Sequence, residues 1–180
     1  MEQIGVRELR HRLRQYLARV DGGERFADPD HDWEIRDPRA AVRAARRRAL
    51  SILYLDASAI TKLVIDEPEA SALQEVVRGH DVVSSRVAAV EVVKAVARAN
   101  PDADPSRVFA MLAFVELDAE LATLAGATGE PGLRALDAIH VASAQRLGSD
   151  VGAFLTYDAR QATAARAAGL SVEMPGASQA

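Results

Sequence analysis

Two textures divide the chain. Up to about residue 50, apolar residues recur at helical spacing among arginines: Leu9, Leu13, Tyr16, Leu17 and Val20 form one stripe, closed by Asp21, Gly22 and Gly23. That spacing predicts a helical segment within residues 1–24. Residues 25–38 carry Asp and Pro without periodicity and read as a linker or extended arm. Residues 38–50, with Pro38 in the first turn, read as a short Ala/Arg helix. From residue 51 short apolar runs alternate with helical stretches. Strands are expected at 52–56, 81–85, 113–118, 152–158 and in "SVEM" at 171–174. Helices are expected after Ser58, over 86–99 with Val87, Val90, Val93 and Ala97 facing inward, from Pro105, from Asp137 to Leu147, and up to Gly169. Glu67 and Glu69, flanking Pro68, would end the first of these and face solvent. Strands that are apolar throughout and alternate with helices call for a sheet covered on both faces. The expected fold is α/β, a three-layer α/β/α sandwich around a mainly parallel sheet over 51–180, preceded by a helical N-terminal extension.

Composition narrows the classes. The chain has 180 residues and is 49% hydrophobic, enough for a sizeable core without staples. It has no cysteine, which rules out disulfides and thiolate metal sites. The N-terminus is charged where a secretory signal needs an apolar run, and no stretch approaches the roughly 18 apolar residues of a membrane span. A cytoplasmic chain with no membrane partner is the expectation.

Charge repeats the division. Residues 1–50 hold 12 Lys+Arg against 9 Asp+Glu, a balance of +3, and residues 51–180 hold 10 against 17, a balance of −7. A basic arm thus precedes an acidic domain. If the domain handles nucleic acid, cations must mediate.

In parallel sheets reactive groups gather beyond the carboxyl ends of the strands, where loops and helix N-termini meet. Acids recur at those places. Asp56 ends the first strand, Asp158 follows the fourth, Asp137 opens the helix before it, and Glu91 lies one and a half turns into the helix after the second strand. Each has a bland alternative: Asp137 and Asp158 as helix caps, Glu91 as a partner for Lys94. Taken together, converging carboxylates repel unless a cation sits among them. Oxygen ligands without cysteine or a histidine pair suit Mg²⁺ or Mn²⁺ better than Zn²⁺. Such a cluster is machinery for phosphodiester hydrolysis. His140 reads as a structural, partly buried histidine and Lys62 as an exposed lysine.

Four segments, "ILYLDASAITKLVIDEPEA", "VVSSRVAAVEVVKAVAR", "LRALDAIHVASAQRLG" and "FLTYDARQATAARAAGL", resemble a PIN-domain ribonuclease of the VapC type, the toxin half of bacterial toxin–antitoxin pairs. The likeness covers residues 51 to about 175. It implies a Mg²⁺- or Mn²⁺-dependent endoribonuclease acting on RNA, habitually a homodimer, with Asp56, Glu91, Asp137 and Asp158 at the family's acidic positions. By the same resemblance, Ser58 and Thr156 hydrogen-bond near the metal.

The segment "IGVRELRHRLRQYLARVDGGE" resembles the start of Phd/YefM-type antitoxins, though the strands that follow there are not evident here. A truncated antitoxin joined to a toxin would fit. Arg39 or Arg43 could then lie across the carboxylates and restrain them, or belong to a merely solvated helix. A DNA-binding autoregulator, gripping operator phosphates through its arginines, and a catalytically silent fusion are the alternatives.

Overall fold

The computed structural model describes residues 51–177. The expected segments at 1–24 and 25–50, and with them Arg39 and Arg43, lie outside the described residues. Strand β1 is Ile52–Leu55, β2 Val82–Ser85, β3 Leu112–Val115, β4 Val151–Leu155 and β5 Val172–Glu173. All pair parallel, in the order β3-β2-β1-β4-β5. Helices α1 (Ala57–Val64), α2 (Ala70–Val77), α3 (Arg86–Ala99), α4 (Ser106–Phe109), α5 (Ala119–Gly126), α6 (Ala135–Leu147) and α7 (Ala159–Ala167) fill the connections. Among the described residues no helix is long and apolar enough to cross a membrane.

Alternation along each strand builds the two covered faces. Leu53 and Leu55 of β1 point into a cluster with Ile60 of α1, Leu73 of α2 and Val92 and Val96 of α3. Tyr54, between them, points the other way. It meets Phe154, Val141 of α6 and Ala165 of α7, its ring stacked on Phe154 at 5.0 Å. A smaller cluster joins Leu121 and Ala125 of α5 to Ala138 and Ala142 of α6. The three-layer α/β/α sandwich is therefore the observed fold.

Local signals set the helix ends. Asp56 accepts from the Ala59 N–H and is the N-cap of α1, so this helix begins before Ser58. Helix α7 closes on Gly169, at φ +83°, with Leu170 N donating to Ala165 O and Gly169 N to Arg166 O. That pair of bonds is a Schellman closure, which needs the left-handed residue that glycine supplies.

Several expectations need correction. The inward face of α3 is Ala88, Val92 and Val96, while Val90 and Val93 are 61% and 49% exposed and Ala97 is also exposed. Valines occur on both sides of that helix, so apolarity alone selects the wrong stripe. Strand β3 stops at Val115, since Asp118 accepts from Leu121 N and caps α5, a helix the reading did not foresee. Nor was α2 foreseen. Helix α6 starts at Ala135 with Arg134 at the N-cap position, so Asp137 sits in the first turn and does not cap.

Candidate active site

Because the chain runs outward from β1 through β2 to β3 and then returns to β4 on the other side, the strand order reverses between β1 and β4. A crevice opens beyond the carboxyl ends at such a reversal. Asp56 leaves β1 there, and Thr156, Tyr157 and Asp158 leave β4 beside it.

Asp56 is 3% exposed, and both of its carboxylate oxygens are engaged. Oδ1 accepts from the Ala59 N–H at 2.8 Å and from Ser58 Oγ at 2.7 Å; Oδ2 accepts from Thr156 Oγ1 at 2.6 Å, with Ser58 Oγ at 2.9 Å. The Ser58 hydroxyl also accepts the Tyr157 N–H at 2.8 Å, and Thr156 Oγ1 accepts the Asp158 N–H at 3.1 Å. Two hydroxyls therefore tie the ends of β1 and β4 together across Asp56. Thr156 Oγ1 lies 3.0 Å from the Gln161 amide as well. One hydroxyl proton cannot serve both, so it goes to the charged acceptor and the amide turns its N–H inward. Burial pushes the Asp56 carboxyl above the usual carboxylate range, an effect that the electrostatic pull of His140 and the hydrogen bonds from Thr156, Ala59 and Ser58 oppose.

Glu91 is held from across the sheet. His140, 1% exposed, brings Nε2 to 3.0 Å from Glu91 Oε2, and its Nδ1 lies 3.0 Å from the Tyr54 hydroxyl. Burial raises the Tyr54 hydroxyl far above its ordinary range, so it stays protonated. The Glu91 carboxylate only accepts, so His140 Nε2 carries the proton of that bond. Glu91 pairs with His140 rather than with Lys94, the bland alternative, and the histidine is fully rather than partly buried.

Asp158 is the N-cap of α7. Its Oδ1 accepts from Arg160 N at 2.8 Å and Gln161 N at 3.1 Å, while Oδ2 meets only the Arg160 guanidinium, loosely, at 3.8 Å. Asp137 is different again: its Oδ2 is buried with no hydrogen-bond partner. Burial raises the Asp137 carboxyl, the charges of Asp158 and Glu91 raise it further, and Arg160 and Arg134 oppose them. Three acids therefore share one electrostatic neighbourhood. Asp56 joins it through the hydroxyl of Thr156 and the ring of His140.

A buried, unpartnered carboxylate oxygen beside two other carboxylates fits a hard divalent cation, and the surrounding donors are all oxygen. The side chains are not gathered around a point, however. Among the described residues no three His, Asp or Glu side chains are placed to hold a metal ion, because Glu91 is drawn to His140 and Asp158 to its own helix.

Two neighbours escaped the sequence reading. Arg134 and Arg160 stand either side of Asp137 in its electrostatic field, and with it line a groove of about 480 Å³ between the start of α6 and α7. The signal was available, since each arginine lies within three residues of a suspected acid. Lys62 is not an exposed lysine: 14% exposed, it bridges Glu67 and Glu69 and lies over the Tyr157 ring at 4.8 Å. Those two glutamates are consequently committed to an ion pair rather than simply facing solvent.

Comparison with known proteins agrees with the geometry. The PIN domain family matches residues 53–167. Ribonuclease VapC46 of Mycobacterium tuberculosis is 42% identical over 129 residues, which is 70% of this chain and 99% of that protein. Ribonuclease VapC35 of the same species is 37% identical over 132 residues, 69% of this chain and 98% of its own length. Ribonuclease VapC47, again from that species, is 34% identical over 134 residues, 70% and 98% of the respective chains. With its sheet order, its acids at the β1/β4 reversal and these relatives, the chain belongs to the PIN-domain family, in its VapC-type branch.

Proposed function

We propose that this protein is a toxin-type endoribonuclease that hydrolyses RNA phosphodiester bonds with Mg²⁺ or Mn²⁺, using Asp56, Glu91, Asp137 and Asp158. The observation that carries the reading is the buried, unpartnered Oδ2 of Asp137 in the field of Asp158 and Glu91. The relatives named as ribonucleases, matched over 98–99% of their lengths, support it. When bound, the ion would supply an activated water and neutralise phosphate charge.

The chain's own residues divide the remaining work. Ser58, Thr156 and the Ala59 N–H fix Asp56 from three directions, so that its carboxylate does not have to be ordered when substrate arrives. His140 holds Glu91 by Oε2 alone, leaving Oε1 unengaged among the described residues. Asp158 spends Oδ1 on the α7 N–H groups and leaves Oδ2 facing Arg160. Glu91, Asp137 and Asp158 thus each offer an oxygen that the fold does not use.

The partners of this reading are RNA, an antitoxin and a second copy of the chain, in the cytoplasm. Restraint by the chain's own N-terminal segment, through Arg39 or Arg43, completes it. RNA cleavage compared in Mn²⁺, in chelator and with Asp56→Asn tests the chemistry. Equal rates in all three would end the nuclease reading. Deleting residues 1–50 tests the restraint: a rise in cleavage is expected, and an unchanged rate would remove it.

A further inference from the structure

We propose that the groove between α6 and α7 binds single-stranded RNA beside the cleavage point, Arg134 and Arg160 gripping a phosphate and the aliphatic lining receiving a base. This rests on the ribonuclease reading, since Asp137 belongs to both places.

The domain's balance of −7 over residues 51–180 makes its surface unwelcoming to a polyanion. Binding then depends on where local positive charge is left uncommitted. Two of the domain's arginines are committed to carboxylates. Arg86 is bonded to Glu116 at 2.5 and 2.9 Å and covers the Phe114 ring, and Arg146 is bonded to Asp118 at 2.7 Å. Arg134 and Arg160 are not. Arg134 is exposed and its side chain has no hydrogen bond or ion pair among the described residues, and the Arg160 side chain, 56% exposed, has only its 3.8 Å approach to Asp158. Both line the groove, as does Asp137. Arginine's planar fork suits phosphate oxygens, and its flat face also stacks on bases.

The rest of the lining agrees. Leu133, Ala164 and Ala167 give a smooth apolar surface. With no aromatic residue there, a base would rest on alkyl groups and a guanidinium plane. A volume of about 480 Å³ lies within the roughly 300–1,000 Å³ that takes small ligands, which suits a nucleotide of a single strand. Glu130, also in the lining, opposes phosphate but accepts hydrogen bonds from an exocyclic amino group.

The test uses the full chain carrying Asp56→Asn, in chelator, with a fluorescein-labelled single-stranded RNA of mixed sequence, read by anisotropy across a range of KCl. Adding Arg134→Gln and Arg160→Gln should weaken binding about tenfold and flatten the log-affinity against log-salt slope by roughly 0.7, for the one phosphate that the pair neutralises. Ala167→Trp, which fills the groove without changing charge, should weaken binding while leaving the slope intact. A control pair on other surfaces, Arg78→Gln with Arg98→Gln, should do neither. The proposal is overturned if the groove variants bind RNA as the control does, whether because the groove serves a protein segment or nothing, or if the chain binds no RNA at all. Cleavage by the chain with Asp56 intact separates the two readings. Groove-dependent binding without any cleavage, with residues 1–50 present or deleted, would sink the nuclease and spare the groove, and cleavage indifferent to the groove variants would do the reverse.

Discussion

Asp56 and Asp137 face the same crevice but are built on opposite plans. Asp56 is enclosed, with both oxygens engaged by two hydroxyls and a backbone N–H. Asp137 is left with a buried oxygen that nothing in the fold satisfies. The hydrogen bonds of Asp56 offset part of its desolvation cost and give the site its position. An unsatisfied carboxylate carries a desolvation penalty that a bound cation would relieve. The crevice therefore has a fixed side, anchored by β1 and β4, and a receptive side, between α6 and α7.

Breaking the fixed side should cost the most activity. Asp56→Asn is expected to lower RNA cleavage by about 10³-fold, the scale of removing a principal electrostatic group, with the melting temperature kept or raised because a buried ionisable group has gone. A fall in melting temperature matching the loss of activity would instead make Asp56 a folding residue. On the receptive side, Asp137→Asn should lower cleavage by about 10²-fold and also abolish any rise in melting temperature on adding Mn²⁺. If that rise survived, the two sides would be equivalent and the contrast would fail.

Smaller effects sharpen it. Thr156→Val keeps the shape and removes the proton donated to Asp56 Oδ2; about 1–3 kcal/mol of stability should go with it, with cleavage reduced about 10- to 100-fold, as read by denaturant melts and initial rates. Tyr54→Phe leaves Nδ1 of the buried His140 without its hydrogen-bond partner and should cost about 1 kcal/mol, with less effect on rate. The pH dependence is the subtlest. Burial raises both Asp56 and Asp137, so the folded chain keeps their protons to higher pH than the unfolded chain does. Their contribution to stability is complete below the ordinary carboxylate range and is lost as pH rises through the raised values. In metal-free buffer, Asp56→Asn and Asp137→Asn together should flatten that decline in a pH series of melts; an unaltered slope would count against both assignments.

Much of this was legible from residues 51–177 as a string. Strands β1 and β4 announce themselves as apolar runs ending in "LD" and "LTYD", and acids just past strand ends are visible as such. What stayed hidden required approach in space. His140 and Glu91 lie 49 residues apart and meet only because α3 and α6 converge at the crevice. Lys62 reads as an ordinary surface residue until Glu67 and Glu69 fold back on it. Helices α2 and α5, each 8 residues, were missed because short Ala-containing stretches between turn residues carry too little periodicity to register. The α3 face was misjudged since Val90 and Val93, though apolar, point outward.

The hydrogen bond from Thr156 to Asp56 joins residues 100 positions apart. During synthesis β1 leaves the ribosome early and β4 late, so Asp56 has only its local bonds from Ser58 and Ala59 until the final third of the chain has emerged and docked. A chain cut short before β4 would thus keep this carboxylate but lack the hydroxyl that clamps it from the far strand.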